Sequence, residues 1–233
     1  MEILTSKFKY GLIYIFLIVC SIISVFPLVW MLLAATNKSV DVLAGKLTPG
    51  TFLIENYKNL IAAQPLWRNF WNSCKYTVLI TVAALIISSL AGYAFVIYKD
   101  KMKTIVYKVI ICTMMIPFVA LMVPLFQIYS KVGLLNSTIG FMLPSLATPL
   151  LIMMFRTGAM AFPDEIVKAA RIDGLSEFQI FYRMFMPTMK STYAATAVVT
   201  FMNAWNNYLW AKVIMSDGAT QTMPMLISNL IAG

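Results

Sequence analysis

The residues able to do chemistry are concentrated in two places. Residues 163–187, PDEIVKAARIDGLSEFQIFYRMFMP, gather acidic and basic side chains between stretches that carry almost none. Asn203, Asn206 and Asn207 follow one another at helical spacing, with Trp205, Tyr208 and Trp210 beside them. Carboxamides and aromatic rings suit a hydroxyl-rich ligand, because hydroxyls need donors and acceptors while the apolar face of a sugar packs on an arene. Interhelical hydrogen bonding and interfacial anchoring use the same residue types, so both readings stand for Asn203, Asn206, Asn207 and Tyr208. Gln127 is a weaker case of the same kind. No catalytic residue and no metal site is expected. The chain has no histidine, and Cys20, Cys74 and Cys112 lack ligand spacing. The methionine pairs Met114–Met115 and Met153–Met154 read as adaptable packing, since no cysteine or histidine accompanies them. The sequence has no GxxxxGK[ST] phosphate cradle, so no ATP site of that kind is expected in this chain.

The elements that position these residues are membrane helices. Of 233 residues 61% are hydrophobic and 12% charged, which makes the net charge of +9 a matter of helix orientation rather than nucleic-acid binding. Stretches of about 20 apolar residues fall at roughly 11–34, 73–98, 105–129, 138–160 and 191–214. Five transmembrane helices are therefore predicted within one domain, 1–233, an all-α polytopic bundle. The first run follows Lys7 and Lys9 as a signal peptide would, but no small-residue cleavage site follows it, so it reads as a retained span. Pro27, Pro117, Pro124, Pro144 and Pro149 fall within spans, and kinks are expected in the third and fourth. Ser88 and Gly92 would admit another helix close to span two.

Lys7 and Lys9, then Lys99, Lys101 and Lys103, then Arg156, Lys168, Arg171, Arg183 and Lys190 assign their loops to the cytoplasm, N-terminus included. Lys38, Lys46, Lys58 and Arg68 in the opposite loop weaken the bias. Trp30, Trp67, Trp71, Trp205 and Trp210 all fall toward the outer interface of that topology.

The 163–187 segment is then cytoplasmic, consistent with the cost of holding each charge at the bilayer centre, about 2.5–3.5 kcal/mol. Pro163 opens a helix with Asp164 and Glu165 at its positive end. Gly174 stops it after Asp173, and Ser176 with Gln179 forms a capping box that starts a second helix. Phe178, Phe181, Tyr182 and Phe185 are expected on one face of that helix, with Pro187 as its end. A lateral helical hairpin of this kind can press into a groove on a partner and carry motion into the two spans attached to it.

KAARIDG at 168–174, followed by Met186 and Pro187, resembles the EAA loop of binding-protein-dependent ABC importers. FPLVWMLLAATNKS, ENYKNLI, SLAGYAFVIYKDK, MIPFVALMVPLFQIYSKVGLLNSTIGFMLP and WNNYLW resemble the MalG-type (MetI/MalG-like) sugar permeases, over nearly the whole chain. The resemblance implies a non-enzymatic permease subunit of a carbohydrate importer in the bacterial plasma (inner) membrane. Its implied partners are a second permease, a cytoplasmic ATPase dimer that uses ATP, an extracytoplasmic sugar-binding protein and membrane lipid, with no nucleic acid and no cofactor of its own. It also implies that Glu165, Lys168, Ala169, Ala170, Asp173, Gly174 and Leu175 form the ATPase-coupling surface. Lys168 stands where the family has glutamate; either Glu165 one turn earlier replaces that charge or the partner's residue has changed sign. Permeases of this type carry one more span after the segment matching TQTMPMLISNLIAG, so the resemblance implies a chain short by roughly one helix. The competing classes are an importer for another solute, a non-transporting remnant, and a secondary transporter, whose inverted repeats or intramembrane charges the sequence lacks.

Overall fold

The computed structural model describes the backbone of residues 2–98 and 100–232, with side chains from 9 to 98 and from 100 to 231. Lys99 and the side chain of Lys7, two of the orienting charges, lie outside the described residues. All regular structure among the described residues is helical, in two compact units, Met1–Pro65 and Leu66–Gly233.

The first unit holds α1 (Glu2–Ala35), α2 (Ser39–Leu43) and α3 (Leu53–Ala63). From Tyr10 to Leu32 the large apolar side chains of α1 are exposed. A helix apolar all round finds its solvent in lipid or in another chain, and Lys9–Ala35 is long and apolar enough to cross a membrane. The chain leaves α1 through a corner held by carboxamides. Asn37 Nδ2 donates to the carbonyls of Leu33 and Thr48, 2.9 Å each. Asn56 Nδ2 donates to those of Ala35 and Asn37, also 2.9 Å each.

The second unit is built on α4 (Leu66–Ile97), again long and apolar enough to cross. It continues through α5 (Lys101–Thr113), α6 (Phe118–Lys131), α7 (Thr138–Met142) with a 3-10 turn at Leu143–Ser145, and α8 (Pro149–Ala159). Then come α9 (Asp164–Ile172), α10 (Glu177–Ile180), a π-turn at Phe181–Phe185, α11 (Met186–Thr188), α12 (Lys190–Trp205), α13 (Tyr208–Ile214) and α14 (Met223–Ala232). Helix α4 packs mainly against α8 and α12. The expected small-residue contact is made at Gly92: a Cβ built there would stand 2.6 Å from Phe155 Cβ and 2.7 Å from Arg156 N. Ser88, one turn earlier, is fully buried.

Two apolar clusters sit toward opposite ends of α4. Tyr76 and Ile80 belong to one, with Met122, Tyr129, Phe141, Ala204 and Trp210. Tyr93 belongs to the other, with Ala159, Phe162, Val167, Ala170, Ile180, Phe181, Phe185 and Met189. Tyr76 and Tyr93 are about 25 Å apart along the helix axis at 1.5 Å per residue, close to the apolar thickness of a bilayer.

Three expected spans are not single helices. At 105–129 the chain turns by 101° between α5 and α6, a corner rather than a kink. The amides of Met114, Met115 and Ile116 bond three residues back to Ile111, Cys112 and Thr113, and Pro117, which has no amide hydrogen, takes an extended conformation (φ −64°, ψ 132°) as the start of α6. At 191–214, α12 ends at Trp205 and α13 begins at Tyr208. The fourth span bends by 50° before Pro149, which opens α8 as a first-turn residue. Among the described residues two helices therefore meet the length of a crossing, or up to four if each bent pair counts as one span. Trp210, expected as an interfacial anchor, is a core residue at 0% exposure, its ring 5.4 Å from that of Tyr129 and 5.8 Å from that of Phe118.

Candidate functional site

The hairpin forms with the caps its sequence encodes. Pro163 (φ −66°, ψ 129°) precedes α9, with Asp164 and Glu165 in the first turn. At the far end the Leu175 amide donates to Ala170 O (3.0 Å) and the Gly174 amide to Arg171 O (3.1 Å). Gly174 has φ +80°, completing a Schellman cap. Ser176 starts α10 as the N-cap of a capping box: the Ser176 amide donates to Gln179 Oε1 (2.8 Å) and the Gln179 amide to Ser176 Oγ (3.4 Å).

Pro187 does not end the second arm as expected. It lies inside α11, and the helix carries it by widening first: the Met186 amide bonds five residues back, to Phe181 O. A proline ring collides with the carbonyl four residues earlier and leaves it without its usual donor, and the π-turn over Phe181–Phe185 widens the helix at that point. The arm runs on to Met189, where α12 begins.

The four aromatic residues expected on one face divide between two. Phe181 and Phe185 point inward; their rings lie 5.5 and 4.8 Å from that of Tyr93, and the Phe185 ring is 5.5 Å from that of Phe162. Phe178 and Tyr182, four residues apart, are 70% and 61% exposed. The offset between the 178/182 and 181/185 rows is enough to put them on different sides once the core claims one row. The residues expected to form a coupling surface divide too. Glu165, Lys168 and Ala169 are exposed on one face of α9, with Ile172 86% exposed on the same row. Asp173 and Gly174 are exposed in the turn, and Leu175 is half-buried. Ala170 is buried and packs inward with Val167.

Three further residues, not singled out from the sequence, hold the hairpin. Glu177 Oε1 accepts from Arg171 Nε (2.6 Å) and Glu177 Oε2 accepts from the Tyr98 hydroxyl (2.7 Å). The Lys103 ammonium stands 4.6 Å above the Tyr98 ring. The Arg171 hydrogen bond, then the Tyr98 hydroxyl, hold the Glu177 carboxyl below its ordinary value against a small desolvation effect. The same bond raises Arg171. Arg171 and Glu177 face each other because the glycine turn folds one arm onto the other, a pairing the sequence pattern contains. Tyr98, 79 positions from Glu177, gives no local signal.

The asparagines do not form one site. Asn203 and Asn207 line a cleft of about 100 Å³ with Ser145, Thr148, Thr200 and Ile80. Asn206 Nδ2 instead donates to Met202 O (2.9 Å), closing the end of α12, and Tyr208 accepts from Ser228 Oγ (3.0 Å). Asn206 and Tyr208 border a separate groove against α14. Ser145, Thr148 and Thr200 were not anticipated, because hydroxyl residues at prolines and in apolar helices read as backbone caps.

The second unit is thus a bundle of apolar helices with a two-faced polar hairpin between α8 and α12. The chain belongs to the family of binding-protein-dependent transport system inner membrane components, whose model matches residues 98–231. It is 42% identical to the lactose transport system permease protein LacG of Rhizobium radiobacter over 93% of this chain and 80% of that protein. It is 34% identical to the arabinooligosaccharides transport system permease protein AraQ of Halalkalibacterium halodurans, over 90% and 77%. It is 33% identical to the sn-glycerol-3-phosphate transport system permease protein UgpE of Escherichia coli, over 89% and 76%. These relatives are transport subunits, not enzymes. In fold it matches a chain from the crystal structure of a bacterial ABC transporter involved in the import of the acidic polysaccharide alginate, with a TM-score of 0.84 over 96% of this chain and 79% of that one, at 22% identity. It is an inner membrane component of a binding-protein-dependent transport system.

Proposed function

We propose that this chain is one of two permease subunits of a carbohydrate importer and couples to a cytoplasmic ATPase dimer through residues 163–187. The observation that carries the coupling reading is the division of the hairpin. Its inner face is packed into the membrane bundle, while Ala169 and Ile172 on α9 and Phe178 and Tyr182 on the second arm are left uncovered, with Glu165 and Lys168 exposed on the same face of α9. Large exposed apolar side chains accompanied by charge suit a docking surface. ATP, held by the partner ATPase and not by this chain, closes the ATPase dimer; the hairpins follow, and the path turns from inward-open to outward-open to receive sugar from an extracytoplasmic binding protein. The N-terminus and the hairpin lie on the cytoplasmic side, where Lys9, Lys101 and Lys103 also belong.

Carbohydrate is the class of solute best supported. The named lining of the Asn203/Asn207 cleft is amide, hydroxyl and aliphatic, with no lysine or arginine to offset a phosphate or carboxylate. That favours a neutral hydroxylated solute over the glycerol phosphate carried by one relative's system. A cysteine at Leu175, cross-linked in the assembled importer, tests the coupling surface. The expected product is a covalent adduct with the ATPase subunit; its absence from a transport-competent complex would overturn the assignment. ATP-driven uptake of lactose, arabinooligosaccharides and sn-glycerol-3-phosphate in proteoliposomes tests the solute class, and uptake of the phosphate ester alone would refute it.

A further inference from the structure

We infer that Tyr98, Glu177 and Arg171 are a latch that makes the hairpin move as one body with the end of α4, an inference that rests on the coupling reading above. The hairpin is covalently continuous with α8 on one side and α12 on the other. It has no covalent tie to α4, the helix at the centre of the bundle. The apolar contacts of Tyr93 with Phe181 and Phe185 hold the two together without fixing direction. The latch supplies direction. Glu177 follows Ser176 at the start of α10, so its position is set by the capping box. Each of its carboxylate oxygens has its own partner: Oε1 takes Arg171 Nε from the last turn of α9, and Oε2 takes the hydroxyl of Tyr98, the residue after α4. One carboxylate thus ties the two arms of the hairpin to each other and to α4. The tie extends to α5, because the Tyr98 ring also carries the Lys103 ammonium at 4.6 Å and the Arg171 guanidinium at 5.9 Å.

The side chains of Arg171 and Glu177 are each 43% exposed, so water screens the pair and its worth to overall stability is small. What the contacts do is orient. Tyr98, Glu177 and Arg171 are accordingly positioning residues, and removing a latch contact alters how hairpin motion reaches the path more than whether the chain folds.

The test is made in the complete importer, with second permease, ATPase and binding protein, in proteoliposomes. The readout is sugar transported per ATP hydrolysed, a ratio that a loss of folded protein leaves unchanged. Tyr98→Phe keeps the ring and its cation contact, and Glu177→Gln keeps the shape of the side chain. Each is expected to lower the ratio about 3- to 10-fold, as loss of one hydrogen bond partly screened by water would, and the double variant is expected to match the worse single. An unchanged ratio in Tyr98→Phe, or losses that multiply in the double variant, would overturn the latch. A second measurement needs no transport. Spin labels at Met102 and Arg183, with the native cysteines replaced, are expected to keep one separation in nucleotide-free and ATP-bound complexes and a broadened one in Tyr98→Phe. A separation that changes between nucleotide states in the otherwise unaltered chain would also overturn the latch. Where the Leu175 cross-link to the ATPase persists and these results fail, the latch alone is wrong. Where the cross-link is absent, the coupling reading falls and the latch with it.

Discussion

Gly174 and Gly92 are both required, for different physical reasons. At Gly174 nothing stands within 4 Å of an added Cβ, but φ is +80°. Gly174→Ala therefore costs backbone strain only, about 1–2 kcal/mol, and Gly174→Asn, which tolerates that conformation, is expected to recover most of it. At Gly92 the obstacle is the backbone of α8, 2.7 Å from the added carbon at Arg156 N. Gly92→Ala must push two helices apart, at roughly 1–3 kcal/mol, and no conformational substitute restores the contact. Thermal unfolding in detergent separates the cases: Asn rescues at 174, whereas only glycine serves at 92. Glu177 gives a second residue-level outcome, in pH. Its folded-state pKa lies below the ordinary 4.5 because Arg171 and Tyr98 donate to it. The stabilisation is therefore complete above the ordinary value and is lost as pH falls through the lowered one. Limited proteolysis of the hairpin is expected to stay flat from neutral pH to about pH 5 and to accelerate only in stronger acid. Glu177→Gln removes this acid-dependent component.

Among the elements, the hairpin separates what a sequence states from what packing decides. Its caps were legible, since the Gly174 turn and the Ser176/Gln179 box depend on neighbours within a few residues. The destination of its aromatic residues was not, because rows 178/182 and 181/185 are equally aromatic and only the position of Tyr93 on α4 selects the inner one. Pro187 misleads for a related reason: a local rule ends the helix there, whereas a widened turn held in a packed cluster carries it through. The two rows now carry opposite expectations. Phe185→Ala empties a fully buried site and is expected to cost about 3–5 kcal/mol, read as a lower unfolding temperature and poor recovery of folded chain. Phe178→Ala, at a position 70% exposed, is expected to leave unfolding unchanged and to weaken capture of the ATPase subunit in a pull-down. Equal loss of stability in both would refute the two-faced hairpin.

Across the whole second unit, α4 joins the hairpin end to the cleft end. Tyr93 lies in the hairpin cluster, and Ile80 lines the cleft with Asn203 and Asn207. The membrane class and the hairpin were readable because they rest on composition and on local motifs. The cleft was only half readable: spacing brought Asn203, Asn206 and Asn207 forward together, but a break in the helix after Trp205 turns Asn206 back onto Met202 and leaves the other two beside Ser145 and Thr148. Break points of this kind depend on how α13 finds the core through Trp210, a contact no window of sequence contains. The division predicts separable phenotypes. Asn203→Ala removes an amide from the cleft without touching a helix cap, and is expected to raise the half-saturating sugar concentration several-fold, as loss of about 1 kcal/mol of hydrogen bonding would, with coupling to the ATPase intact. Asn206→Ala removes a cap contact and is expected to lower thermal stability by a similar energy while half-saturation stays as it was. Uptake measured over a range of sugar concentrations, alongside unfolding of the same preparations, distinguishes them. If Asn206→Ala shifts half-saturation and Asn203→Ala does not, the solute path runs along the groove bordered by Tyr208 and α14, and the Asn203 cleft is packing.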